Sequence, residues 1–253
     1  MSRGMRVRLT RWAVVAAFLA LLEVAPRAGL GDTITLIPLS EMVSRLFSLA
    51  VGGQLTQHIL ATVTEFLLSF VAAAVTGVSL GYVLWRFGRL RRALNPYLTT
   101  YYAIPVFAFY PLLLAIFGAN LVPIVLIAWA WAVVAVILNT ALGLAEIPSV
   151  LHKLGKAMRL PLPTRVFRIL LPASAPYLFT GLKLDVVYSL IGVIASEFIL
   201  STRGLGYLVS NAYTNFATAD MYAAILLIVV LALVLTSFLN RVESRVRRHV
   251  ASH

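Results

Sequence analysis

The sequence predicts an all-α polytopic membrane protein with six transmembrane helices. Three observations carry that class. Of 253 residues, 61% are hydrophobic and 12% charged, with a mean hydropathy of +0.94, far more apolar surface than a soluble domain of this length needs. The apolar residues gather into six runs able to cross a bilayer. The cations sit between those runs: 17 of the 21 Lys and Arg fall in four short segments. Arg27, Arg45 and Arg203 fall on the opposite side, and Lys183 lies inside the fifth run. That bias predicts the four segments, and both termini, in the cytoplasm.

Residues 1–11 carry Arg3, Arg6, Arg8 and Arg11 and form a cytoplasmic N-terminal segment. Trp12 to Val24 has the length of a signal-peptide core, but Val24, Ala25 and Pro26 make a poor cleavage signal, so a retained first helix over 12–30 is expected. Residues 31–58 read as an external loop with a short amphipathic helix over Ser40–Val51. The second span, 59–85, holds Gly77-x-x-x-Gly81, a small-residue face suited to close helix packing. Arg86, Arg89, Arg91 and Arg92 come directly after it.

The third span, Tyr97–Phe117, contains Pro105 and Pro111, which kink a helix for packing or for lining a path. A turn at 118–121 leads to the fourth span, to about Leu144. Trp129 and Trp131 lie in its middle, so packing against other helices is expected. The fifth span, about Tyr177–Leu200, carries Lys183, Asp185, Ser189, Ser196 and Glu197. Lys183 is expected to snorkel to the interface. Asp185 and Glu197 must face protein or a water-filled cavity; they either bond neighbouring helices or serve transport. A loop over 202–219 and a sixth span, 221–239, precede a basic tail at 241–253. Residues 59–240 thus form a core of five helices.

Between the fourth and fifth spans lies a basic loop, 146–176. Lys153, Lys156, Arg159, Arg165 and Arg168 fall within it, and no acid does after Glu146. Leu151, Leu154 and Met158 recur at helical spacing, and a second short helix is expected from Thr164. An amphipathic basic pair of this kind either lies on anionic lipid or docks a cytoplasmic partner.

This loop and the fifth span after it resemble type I ABC importer permeases, in the branch for sulfonates, taurine, nitrate and thiamine precursors. Phe167, Ile169, Leu171-Pro172 and Pro176 match the end of that family's EAA loop. Gly181-Leu182-Lys183, Ala195, Glu197 and Gly204-Leu205-Gly206 match its downstream pattern. The start departs: Lys153 stands at the family's glutamate, Gly155 at its alanine and Arg159 at its glycine. The resemblance implies the type I importer permease fold in a bacterial inner membrane. It implies a loop (Leu151, Lys153, Leu154, Gly155, Lys156, Met158, Arg159, Phe167, Leu171 and Pro172) that docks onto ABC ATPase subunits. A second permease copy, expected as a homodimer, would enclose the path, and an extracytoplasmic solute-binding protein would deliver a sulfonate, nitrate or vitamin-precursor type of solute. Asp185, Ser189, Ser196 and Glu197 are then candidates for the path or its gate, and Gly204-Leu205-Gly206 for a turn facing the binding protein.

This chain itself is expected to catalyse nothing and to bind no cofactor, with ATP and Mg on the ATPase. It has no G-x-x-x-x-G-K-[ST] phosphate loop, no H-E-x-x-H and no G-x-S-x-G. Its four histidines lie apart and it has no cysteine, so no metal site is expected. The net charge of +12 is split between apolar runs, which argues against a nucleic-acid partner. Two other classes remain open at this point: an ion-coupled secondary transporter using Asp185 and Glu197, and a membrane scaffold without transport. The lack of an internal repeat speaks against the first.

Overall fold

The computed structural model describes residues 3–29 and 36–251, and every regular element among them is helical. Five helical stretches are long and apolar enough to cross a membrane: Leu9–Arg27, Leu55–Arg86, Leu121–Ala145, Pro163–Ile199 and Thr218–Arg245. A sixth crossing needs the pair Gly88–Ala103 and Val106–Phe117, which bends by 81° at its break. The chain divides into two compact units, one of residues up to 60 with 198–230 and one of 61–197 with the residues from 231 on.

In the first unit, α1 (Arg3–Arg27) is exposed along most of its length, as a helix facing lipid would be. Its end is tied to α2 (Leu39–Val51): Ser40 donates from its backbone N–H and its hydroxyl to the Glu23 carboxylate, both at 2.9 Å. The amphipathic helix expected at 40–51 is therefore present. It turns Met42 inward, and Arg45 forms an ion pair with Asp220 at the start of α11 (Thr218–Ala251). The loop expected over 202–219 instead holds a helix, α10 (Leu205–Thr214).

The second unit is built around α6 (Leu121–Ala145), capped by the Asn120 side chain, which accepts the Val122 N–H at 2.8 Å. Residues on most of its circumference are buried. α3 (Gln54–Arg86) meets it through the expected glycine pair. A Cβ on Gly77 would stand 2.5 Å from Val136 Cβ, and one on Gly81 2.6 Å from Thr140 Cβ. Both numbers rise together, so α3 and α6 run in the same direction. α9 (Leu171–Leu200) meets α6 in the opposite sense: Gly181 abuts Asn139, Gly192 abuts Ala128, and Gly143 of α6 abuts Tyr177. Such glycine seams let backbones approach where no hydrophobic drive exists between helices in lipid. Trp129 donates to Thr76 Oγ1 at 2.9 Å, and Trp131 packs among Tyr102, Phe107 and Tyr188, so both tryptophans serve packing as expected.

The third span departs from the kinked helix expected over Tyr97–Phe117: it is broken outright. α4 (Gly88–Thr100) runs into a 3-10 turn, Tyr101–Ala103, and stops at Ile104, whose ψ of 125° is extended. The residue before a proline is driven out of the helical region by the ring, and Pro105 supplies that ring. A second 3-10 turn, Val106–Phe109, leads into α5 (Tyr110–Phe117), with Pro111 in its first turn, where no N–H is required. Pro105 breaks the span and Pro111 restarts it.

Candidate functional site

The loop after α6 begins with a short helix, α7 (Ser149–Ala157). Leu151 is half-buried against a cluster of Leu144, Ile147 and Leu170, which also takes in Tyr82 and Trp85 from the end of α3. The loop is therefore seated on the ends of two membrane helices. The apolar residues expected to share one face separate here: Leu151 turns inward, while Met158 lies beyond the helix end and is exposed. Lys153 and Arg159 are exposed too. Leu154, Gly155 and Lys156 are described in backbone only, their side chains lying outside the described residues.

Arg159 turns the chain with φ 50°, one of two positive-φ residues other than glycine among the described residues. The position where the resembled family places glycine is thus a left-handed position here, filled by arginine. The second loop helix starts at Leu162 rather than Thr164 and continues without a break. After α8 (Leu162–Arg165), Val166–Leu170 winds as a π-turn, with the Leu171 N–H reaching the Val166 carbonyl. Pro172 comes next and has no N–H to donate, which explains a wider turn at this point. Phe167 stands 71% exposed on that turn and Arg168 is exposed beside it, while Leu171 and Pro172 open α9 half-buried. Val150, Met158 and Phe167 therefore present apolar side chains next to Lys153, Arg159 and Arg168.

A second group lies deep in the same unit. Asp185, Ser189, Ser196 and Glu197 are all fully buried, along one side of α9. Ser189 donates to Asp185 Oδ1 at 2.8 Å, and Thr62 of α3 donates to Glu197 Oε1 at 2.6 Å. Glu65 of α3 and Tyr110 of α5 are buried in the same unit as well. The sequence alone singles out Glu197, marks Glu65 only as an acid interrupting the second span near its outer end, and leaves Thr62 and Tyr110 unremarked. A signal exists for them: Thr62, Glu65 and Ser69 recur at helical spacing in an apolar span, and all three are buried. Lys183 does not simply snorkel; it forms an ion pair with Glu243 of α11.

In the first unit, Gly204 precedes α10 with φ 106°, a conformation open to glycine. Its N–H donates to His58 Nδ1 at 3.1 Å, and His58 stacks on Tyr207. Leu205 is fully buried and Gly206 lies inside the helix, so the three residues make the start of a helix with Gly204 as its N-cap residue. No group of three metal-ligating side chains occurs among the described residues.

Residues 73–248 match the model of the binding-protein-dependent transport system inner membrane component family. The nitrate import permease protein NrtB of Synechocystis sp. is 27% identical over 189 residues, covering 75% of this chain and 69% of that protein. The taurine transport system permease protein TauC of Escherichia coli is 25% identical over 213 residues, covering 82% and 78%. The bicarbonate transport system permease protein CmpB of Synechococcus elongatus is 27% identical over 192 residues, covering 76% and 69%. Among solved structures, two inward-facing crystal forms of the MetNI methionine ABC transporter superpose with TM-scores of 0.61 and 0.66. At 21% and 19% identity they share the fold, over 78% and 76% of this chain and 95% of theirs.

Proposed function

The chain belongs to the family of binding-protein-dependent transport system inner membrane components, and from that premise we propose how it couples ATP hydrolysis to import. It is the membrane-spanning permease subunit of an ABC importer. Its own residues move no phosphoryl group, so the energy must enter through a contact. The observation that carries the proposal is the seating of the basic loop: α7 rests through Leu151 on the ends of α3 and α6, and after a turn at 158–161 the second loop helix, α8, runs into α9 without a break. Force applied to α7 is passed to three membrane helices at once.

The exposed face of Val150, Lys153, Met158, Phe167 and Arg168 would dock a cytoplasmic ATPase, which holds ATP and Mg. The loop and both termini then face the cytoplasm. Two copies of the chain would flank the path, and a solute-binding protein would deliver from the external side, with the start of α10 as its landing point. Asp185, Ser189, Ser196 and Glu197 would hold the helices that open and close the path. The relatives named for nitrate, taurine and bicarbonate support a small oxyanion-bearing solute of the sulfonate or nitrate type. Ion-coupled secondary transport through Asp185 and Glu197 is not favoured, since the family is that of binding-protein-dependent transport components and the relatives are named as permease proteins of such systems.

The test is co-purification with the ATPase subunit and solute-stimulated ATP hydrolysis after reconstitution. Lys153→Glu should weaken ATPase capture, with the loss fading at high salt. Phe167→Asp should abolish capture at any salt. Undiminished capture by both variants would overturn the docking assignment. Hydrolysis unresponsive to nitrate, taurine and sulfonates would overturn the solute class alone.

A further inference from the structure

We propose that a crevice between α4 and α6 binds one anionic phospholipid, with its phosphodiester on Arg91 and Asn95 and an acyl chain running toward Leu98. The crevice has a volume of about 200 Å3. Arg91, Asn95 and Leu98 form one wall from α4, Leu138 and Leu142 form the facing wall from α6, and Leu84 of α3 contributes at the side.

The order of these groups decides the ligand class. Arg91, Asn95 and Leu98 lie four and three residues apart, on one face of α4. Two turns of helix, about 10 Å, take that face from a guanidinium through an amide to an apolar side chain. Leu98 ends in the cluster of Ala73, Leu84 and Ala132, so the apolar end is the deep end. A phospholipid lying along the helix meets the same sequence: charged phosphodiester, polar ester, hydrocarbon. A small free anion would satisfy Arg91 and Asn95 and leave the leucine walls uncovered.

Charge points the same way. Arg86, Arg89, Arg91 and Arg92 cluster at this end, and no Asp or Glu occurs in the sequence between Glu65 and Glu146. Among the described residues, no carboxylate comes within ion-pair distance of Arg91. The guanidinium presents paired donors in the geometry that phosphate oxygens accept. Basic pockets between membrane helices are where anionic headgroups settle. The other three arginines do not line the crevice. α4 has no fully buried residue, so a bound lipid would add to the packing that Leu98 makes.

The experiment is native mass spectrometry of the protein released from nanodiscs of mixed phosphatidylglycerol and phosphatidylcholine. Wild type should retain phosphatidylglycerol selectively. Arg91→Gln should cut that retention about tenfold, the loss expected for one charge-assisted contact. Arg89→Gln, off the crevice face, should leave it intact, and Leu138→Trp, which fills the apolar half, should lower it. Equal losses in the Arg89 and Arg91 variants would mean diffuse surface attraction and overturn the site. So would displacement of the lipid by inorganic phosphate, nitrate or taurine, which would make it a simple anion site. The chain has no cysteine, so Asn95→Cys can be tested cleanly; disulfide trapping of two copies through it would assign the crevice to a protein contact and overturn the proposal.

Discussion

Arg159 stands at a left-handed turn, where the resembled family has glycine. Its φ of 50° lies where a residue with a Cβ is strained by about 1–2 kcal/mol and glycine is not. Arg159→Gly should therefore raise thermal stability by up to about 1 kcal/mol, the gain being offset by the freer unfolded chain. Arg159→Ala removes the same charge and keeps the strain. If the two variants melt alike, the strain is not stored at this turn; if both lose ATPase capture alike, the charge matters for docking. Glu197 poses the buried counterpart. It accepts from Thr62 at 2.6 Å inside the membrane unit, and Thr62→Val would strand part of that acceptor at about 1–3 kcal/mol. Glu197→Gln should keep the fold, since an amide oxygen still accepts from Thr62, and should partly uncouple uptake from ATP hydrolysis. A wild-type ratio of uptake to hydrolysis in that variant would remove Glu197 from the gate. The acid itself was legible because a carboxylate in an apolar run demands a reason. Its partner Thr62 is legible only as part of a polar stripe with Glu65 and Ser69, and the pairing itself is not, because the two residues stand 135 apart in the chain.

The helices are held together along glycine seams, and the seams predict a rank order. A Cβ on Gly192 would stand 2.6 Å from Ala128 Cα, a backbone atom that cannot turn aside, whereas one on Gly181 would meet Asn139 Cβ at 3.0 Å. Gly192→Ala should thus cost about 1–3 kcal/mol by forcing α6 and α9 apart. Gly181→Ala should be near neutral, because the helix gains about 1 kcal/mol when glycine is replaced. Melting temperatures in detergent would check the order, and equal values would show that the seam yields. This packing was partly legible: Gly77-x-x-x-Gly81 announces a close approach, but only the structure shows that its partners are Val136 and Thr140. Apolar run length located most of the elements, because the bilayer sets it. It missed α10, which is too short to register as a run, and the break at Ile104–Pro105. A proline inside a span permits a kink or a full break, and the choice depends on what surrounds it. The Lys183–Glu243 pair was hidden for a related reason: each side chain alone reads as an interfacial charge, and the attraction exists only once α9 and α11 meet.

At the scale of the molecule, the directions of the helices test the charge rule independently of it. α3 and α6 run alike and α9 runs opposite, so the end of α3, the end of α6 and the start of α9 gather at one end of the second unit. The crevice agrees locally, since Arg91 of α4 shares it with Leu142 of α6. Glu243 meets Lys183 in the first half of α9, which brings the basic end of α11 to that same end. Three of the four cationic segments read from the sequence thus converge in space, although nothing in residue spacing required it. A membrane protein keeps such an end on the cytoplasmic side, because translocating short cationic loops is disfavoured. Reporter fusions after Arg92, after Arg165 and at His253 should therefore all report cytoplasm, while fusions near Gly53 and Asn211 should report the outside. The geometry makes the outcomes interdependent: Arg92 and Arg165 stand on segments that share one end of a packed unit, so they cannot report opposite sides without unfolding it. A split result would mean that the α3–α6–α9 packing is wrong. A concordant external result would leave the packing intact, invert the chain and remove the docking loop from any ATPase in the cytoplasm.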